Sequence, residues 1–233
     1  MSVYEKVHLV LRRRLMSGFY DPGTQLKEEV LATEMGVSRT PVRKAIQSLT
    51  AEGLLESAEN RGARVTQWGR KDVEDIFKLR TMLEGLAAAM AAEHITAEQL
   101  SQIESCNAGM EKAATEKKPG YLERIQKLNY SFHYGILEAC GSPHLRKFGA
   151  SLLDYPLIIG GFYIYSHDEM MASIRQHAEI LAALRARNAQ WATAAVTCHL
   201  AAAIERFRRS EDIRPAADQD RPRNDPPSAP EGA

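Results

Sequence analysis

Ten residues near the amino terminus constrain this chain more than any other stretch: Val37-Ser38-Arg39-Thr40-Pro41-Val42-Arg43-Lys44-Ala45-Ile46. Thr40 is a favourable N-cap, and Pro41 suits the first helical position, where its missing N–H would have had no partner anyway. The pattern predicts a helix that starts at this point. Val42, Ala45, Ile46 and Leu49 recur at helical spacing and form its core face, whereas Arg43, Lys44 and Gln47 project elsewhere; Gly53 ends it. Upstream, residues 4–17 carry a stripe of Val7, Leu11 and Leu15, and Asp21-Pro22-Gly23 makes a turn. A short helix over residues 27–34 should turn Val30, Leu31 and Met35 inward and stop at Gly36. Downstream, residues 54–58 and 63–66 around a turn at 59–62 read as a small hairpin.

Helix, helix, turn, helix, hairpin is the order of a winged helix-turn-helix, and the basic residues fall where DNA would lie. Arg39 and Arg43 occupy the start of the third helix, the end that enters a major groove, where guanidinium forks reach guanine O6/N7 or phosphate. Thr40 and the open N–H groups there suit a phosphate. Arg61 and Arg64 flank Gly62 in the wing, and glycine permits close backbone approach. The formal net charge of zero seems to oppose such a partner, but it is a cancellation. Residues 1–70 carry a net +3, residues 71–210 are balanced, and residues 211–233 carry a net −3. A surplus of three is a weak signal alone; the positions of the arginines decide.

The rest of the chain predicts a mainly α protein: a winged helix-turn-helix over 1–68, an all-α helical bundle over 69–210 and a disordered tail over 211–233. Helical periodicity runs through the bundle with breaks near Thr96, Pro119-Gly120, Ser142-Pro143, Ser166 and Asn188. The tail holds five of the ten prolines and almost no large apolar residue, so it cannot bury enough surface to offset its ordering entropy. Cys106, Cys140 and Cys198 are widely spaced with no CxxC, which points to a reducing compartment, hence the cytoplasm, and away from a disulfide framework or thiolate zinc site. No apolar run approaches a membrane span.

Three of the seven histidines stand apart. His177 lies eleven residues before Asn188 and His199 eleven after it. If the chain reverses there as an antiparallel helix pair, both imidazoles sit roughly 16 Å from the turn, level with each other. Each falls within an apolar stripe and should point inward. His133, on a helix over 121–140, has Asn129 one turn earlier on the same face. Facing helices of a bundle build metal sites in this way. Three imidazoles and one oxygen suit a divalent transition ion, zinc or nickel before magnesium. Buried, hydrogen-bonded histidines explain the same spacing equally well. Phe162, Tyr163 and Tyr165 near Gly160-Gly161, with Tyr155, line a pocket or simply pack.

Pro22-Gly23, Leu26, Leu31-Ala32, Gly36 through Arg43, Leu49, Glu52-Gly53-Leu54 and Arg61-Gly62 together resemble the signature of GntR-family transcription regulators over about the first 67 residues. The resemblance places Arg39, Thr40, Arg43 and Gly62 on DNA-contacting positions. It also marks a departure: an arginine of the second helix contacts DNA in the fatty-acid-responsive branch, and Glu29 stands at the matching position here. The helical region resembles the FCD domain of the FadR subfamily, with Arg80 and Glu84 early, then Phe132-His133, His177 and His199. In many such domains an aspartate four residues before the first histidine completes the metal set; here it is Asn129.

The resemblance implies a ligand-responsive transcription regulator, expected to repress, that binds a palindromic DNA operator as a homodimer. Asn129 and three neutral imidazoles leave a bound ion's charge uncompensated, so the expected effector is a small carboxylate or sugar acid, with Arg80 as a second cation. Arg80 has another use, an ion pair with Glu84 one turn on. The competing function is a metal-dependent hydrolase built on the same three histidines. Against it, no HExxH and no Asp/Glu pair accompanies the ligands, and the amino-terminal module would have no role.

Overall fold

In a computed structural model of the chain, residues 1–16, 19–58, 62–66, 69–153 and 161–213 are described. The amino-terminal part comprises α1 (Val3–Met16), β1 (Gln25–Lys27), α2 (Glu28–Glu34), α3 (Arg39–Ala51), β2 (Leu55–Ala58) and β3 (Gly62–Val65). Val7, Leu11 and Leu15 of α1 meet Val42, Ala45, Ile46 and Leu49 of α3 in one apolar core, closed by Leu26, Leu31, Leu55, Ala63 and Val65. This is the arrangement that the helical stripes demand, since each helix has one apolar face to bury.

Three local expectations are corrected. The wing is a three-stranded antiparallel sheet of order β1-β3-β2, because Gln25, Leu26 and Lys27 pair with Arg64, Ala63 and Gly62. Three residues are too few to show an alternating pattern, although Leu26 is buried between exposed neighbours. Val30 is exposed, and the buried face of α2 is Glu28, Leu31 and Ala32. A seven-residue helix leaves its phase ambiguous, and a glutamate inside is not something hydropathy proposes. Finally, α3 begins at Arg39 with Ser38 as N-cap, so Pro41 is its third residue. Proline is equally tolerated there, because the first four N–H groups of any helix lack intrahelical acceptors. The turn residues 59–61, Arg61 among them, lie outside the described residues.

The remainder is helical: α4 (Arg70–His94), α5 (Ala97–Glu116), α6 (Tyr121–Ala139), α7 (Pro143–Leu152), a 3-10 turn (Gly161–Ile164), α8 (His167–Arg185) and α9 (Ala189–Ile213). Side-chain caps set several of the starts. Thr96 and Gln99 form a capping box on α5, Ser166 and Glu169 form one on α8, and Ser142 accepts from Leu145 N above Pro143. The turn between α8 and α9 puts Arg187 in the left-handed region (φ 52°), and its guanidinium donates to the carbonyls of Glu93 and Ile95 at the end of α4. That contact locks the reversal to α4, and α9 then runs back along α4 and α8. Phe132, Ile136, Ile174, Ile180, Val196 and Leu200 form the centre of the bundle. The last helix continues to Ile213, past the expected start of the tail, and residues 214–233 lie outside the described residues, as do Tyr155 and Gly160. No described helix is long and apolar enough to cross a membrane, and the three cysteines are free thiols.

Gly62 has a structural duty as well as a place in the wing. A Cβ built on it would lie 2.5 Å from the Leu26 carbonyl oxygen, a backbone atom that cannot swing away. Gly62→Ala should therefore destabilise the amino-terminal part by about 1–3 kcal/mol. Thermal melting and amide exchange of β1 and β3 check this; an unchanged melting curve with intact exchange protection would contradict it.

Candidate metal centre and nucleic-acid interface

Helices α6, α8 and α9 carry His133, His177 and His199 to one buried point, where one ring nitrogen of each lies within 4.8 Å of the others. The equal spacing of His177 and His199 about the turn does put them level, with Nε2 to Nε2 at 3.2 Å. Burial, with neighbouring positive groups, pushes both imidazoles well below their ordinary pKa, so near neutrality they are uncharged. Two neutral imidazoles can face each other so closely in two ways. They share a proton, or both lone pairs point at a cation. Nitrogens bound at about 2.0–2.1 Å to one tetrahedral ion stand about 3.3 Å apart, so the observed spacing fits a shared ion. The Nδ1 atoms of both rings are buried without a partner among the described residues.

His133 is oriented by a charge. Its Nδ1 lies 2.7 Å from Glu84 Oε2, and Arg80 Nε donates to Glu84 Oε1 at 2.6 Å, all three side chains being nearly inaccessible. Burial alone would raise the Glu84 carboxyl, but the charges and hydrogen bonds of Arg80 and His133 outweigh it and lower it to about 2. The ionised carboxylate accepts a hydrogen bond from the Nδ1–H of His133, which fixes the ring as it packs against the other two imidazoles. A carboxylate behind a ligating histidine is the usual outer support of a metal site. Three converging ring nitrogens, two of them on imidazoles kept uncharged by burial, and that support together make a cluster that could hold a divalent ion.

Asn129, half-buried one turn before His133, lines the same cavity as Arg80, Gln126, His133 and His199. Arg80 thus has both of its expected positions, paired to Glu84 and on the cavity wall. Sequence reasoning missed three participants. Glu84 was seen as a partner of Arg80 but not of His133, 49 residues away. Arg206 is 7% exposed, stacks over the Tyr165 ring at 5.2 Å and leaves a buried Nη1 without a partner among the described residues. Gln126 has a similarly unpaired buried Nε2. A signal was present: Arg206 lies seven residues after His199 and Gln126 seven before His133, two turns along the same helix faces.

At the other end of the molecule, Arg43 and Thr40 are exposed at the start of α3 and Arg39 is partly so. Neither arginine is unengaged. Glu28, itself buried, accepts from Arg43 Nε with both oxygens at 3.1 Å and from Nη2 at 3.1 Å. Arg39 donates to Glu29 at 2.5 Å and lies 3.6 Å from Glu28. Arg64 is exposed on β3 opposite Gln25 and Glu56, next to Gly62. Ser38 makes no side-chain cap bond, which leaves the first-turn N–H groups of α3 available to a phosphate.

Compared with known proteins, residues 3–65 match the bacterial regulatory proteins of the gntR family, and residues 75–202 match the FCD domain. The chain belongs to the GntR family, in its FCD-bearing branch. A probable D-xylose utilization operon transcriptional repressor from Paenarthrobacter nicotinovorans is 31% identical over 205 residues, covering 86% of this chain and 87% of that protein. The uncharacterized HTH-type transcriptional regulator YdhC of Bacillus subtilis (strain 168) is 29% identical over 203 residues, covering 84% and 87%. The E. coli McbR/YncC structure superposes with a TM-score of 0.79 at 24% identity, over 91% of this chain and 99% of that one. These relatives are regulators, so this GntR protein is a DNA-binding transcription regulator and not an enzyme, and the hydrolase reading has no support.

Because Glu84 orients a ligand without touching the cluster centre, Glu84→Gln should weaken zinc affinity about 10–100-fold while leaving the three histidines in place. Asn129→Asp, which adds a carboxylate, should strengthen it. Competition against a chromophoric chelator measures both; equal affinity in all three proteins would refute the arrangement.

Proposed function

We propose that this GntR protein is an effector-responsive repressor of the cytoplasm, whose winged helix (residues 1–68) reads a palindromic operator and whose helical bundle (residues 69–210, its last helix running on to Ile213) senses a small anion. The observation that carries the reading is the buried cluster of His133, His177 and His199 beside a cavity walled by Arg80 and by Tyr165, over whose ring Arg206 lies. The proposed ion is zinc or nickel, held by the three histidines and Asn129. When bound it supplies positive charge that no carboxylate among these ligands offsets. Arg206, with its unpartnered Nη1, adds a cation from α9. A small carboxylate or sugar acid would balance that field, and the P. nicotinovorans relative, named for D-xylose utilization, is compatible with a sugar-derived effector.

At the DNA, Arg39, Thr40 and Arg43 of α3 enter the major groove, and Arg61, Gly62 and Arg64 approach the backbone from the wing. Glu29, where a related branch has an arginine, faces Arg39 and weakens rather than adds a phosphate contact.

A homodimer follows from the reading of a palindrome, and α4 offers a face for it. Leu79, Met82 and Leu86 recur at helical spacing and are 49%, 70% and 53% exposed, with Phe148 of the adjoining α7 at 61%. A stripe of three exposed large apolar side chains on one helix, with a fourth on a helix packed against it, is best covered by a second copy. Met82→Glu with Leu86→Glu should convert the dimer to monomer in sedimentation analysis; an unchanged mass would remove this face from consideration.

Titration calorimetry tests the sensing role. Metal-loaded protein should bind at least one small carboxylate or sugar acid, and a chelator should abolish the heat. Binding that ignores the chelator would overturn the metal-assisted version, and failure of every anionic class would overturn the effector reading.

A further inference from the structure

We infer that Glu28 is the specificity-determining residue behind Arg43: it holds the guanidinium by one edge so that the opposite end can read a guanine. The inference rests on the proposed entry of α3 into the major groove and adds which interaction sets the base preference there. Glu28 is the first residue of α2 and is 6% exposed, yet its carboxylate meets two cations, accepting from Arg43 Nε and Nη2 at 3.1 Å and lying 3.6 Å from Arg39 Nη2. A carboxylate buried to that degree must be paired, and the pairing restrains whichever side chain supplies it.

The edge that is used matters. A guanidinium has five N–H donors in a rigid plane. Glu28 takes Nε–H and one Nη2–H, the side edge of the Arg43 fork. The Nη1 hydrogens and the second Nη2 hydrogen form the end of the fork, and no hydrogen bond reaches that end among the described residues. Two parallel donors at the end of an arginine match O6 and N7 of guanine, and neither adenine nor a pyrimidine offers that pair of acceptors in the major groove. A loose arginine reaches phosphates as readily as bases. One clamped from the side by a buried acid loses its other rotamers before it meets DNA, so a correct base costs less ordering than it otherwise would.

The neighbouring pair is different in kind. Glu29 is 73% exposed and takes Nη1 of Arg39, an end nitrogen, so that contact competes with DNA instead of preparing for it. Two adjacent glutamates on α2 therefore do opposite things: Glu28 positions Arg43, while Glu29 withholds Arg39.

The test is selection from randomised DNA duplexes with the full-length dimer, followed by affinity measurement on the selected site and on single-base variants, for wild type, Glu28→Gln, Glu28→Asp and Arg43→Ala. Wild type should select a palindrome with one invariant guanine per half-site. Glu28→Gln should lose about tenfold in discrimination at that base pair while its affinity for unrelated duplex stays the same or rises. Arg43→Ala should lose the preference entirely; if it retains it, the placement of α3 is what fails. If Arg43→Ala loses the preference and Glu28→Gln keeps it in full, the placement stands and the role of Glu28 is overturned. A uniform loss on all duplexes together with a lower melting temperature also overturns it, by making Glu28 a purely structural acid. Should the glutamine variant not fold, Glu28→Asp decides: it keeps the charge but withdraws the carboxylate, and an undiminished guanine preference would refute the clamp.

Discussion

Glu84 keeps a full negative charge in the middle of a helical bundle because two partners reach it at once, Arg80 from one turn earlier on α4 and His133 from α6. An ionised carboxylate in such a place is tolerable only when paired and hydrogen-bonded. Much of the bundle's organisation follows from meeting that demand. Helices α4 and α6 must lie side by side, the His133 ring must present Nδ1 outward to the acid, and its other nitrogen must then face α8 and α9. Those helices deliver two further rings, which burial keeps uncharged. The site is thus a cluster of three imidazoles backed by one carboxylate that touches only His133.

The winged helix solves a smaller version of the same problem. Glu28 is buried under Arg43 as Glu84 is buried beside Arg80, and in both places an inaccessible acid is paired with a cation across a short distance. The difference is in the surroundings of the paired group. His133 stands with its ring against two other imidazoles, whereas the end of the Arg43 fork takes no hydrogen bond among the described residues. The neutral net charge of the molecule is therefore not a sign of indifference to DNA. Many of its acids and bases are spent locally, on each other: Glu28 holds Arg43 by its side edge, while Glu29 occupies an end nitrogen of Arg39.

Helical periodicity made most of the fold legible, because a helix with one apolar stripe has one way to face a core. Val42, Ala45, Ile46 and Leu49 of α3 are buried as their spacing requires. The symmetric positions of His177 and His199 about the α8–α9 turn were legible for a related reason: rise per residue is constant, so equal counts bring residues level. Where periodicity had too few residues to act on, the reading slipped. Strand β1 has three residues and α2 has seven, and the first went unseen while the second was turned so that Val30 pointed inward. The capping residue of α3 was misplaced by two positions, because proline is tolerated at any of the first-turn sites that lack a hydrogen-bond acceptor.

By itself, the sequence determined the order of helices, the winged helix-turn-helix, the placement of basic residues at its DNA-facing ends, and three inward histidines on three helices. These are consequences of local spacing, which the chain carries in one dimension. Only the tertiary structure decided which charges meet: Glu84 with His133 across 49 residues, Arg43 with Glu28 across 15, and Arg206 with Tyr165. Such pairs depend on the angle at which one helix crosses another and on which rotamer reaches across the gap. Neither is encoded by periodicity, so the acids that organise both ends of this regulator could be counted in the sequence but not assigned.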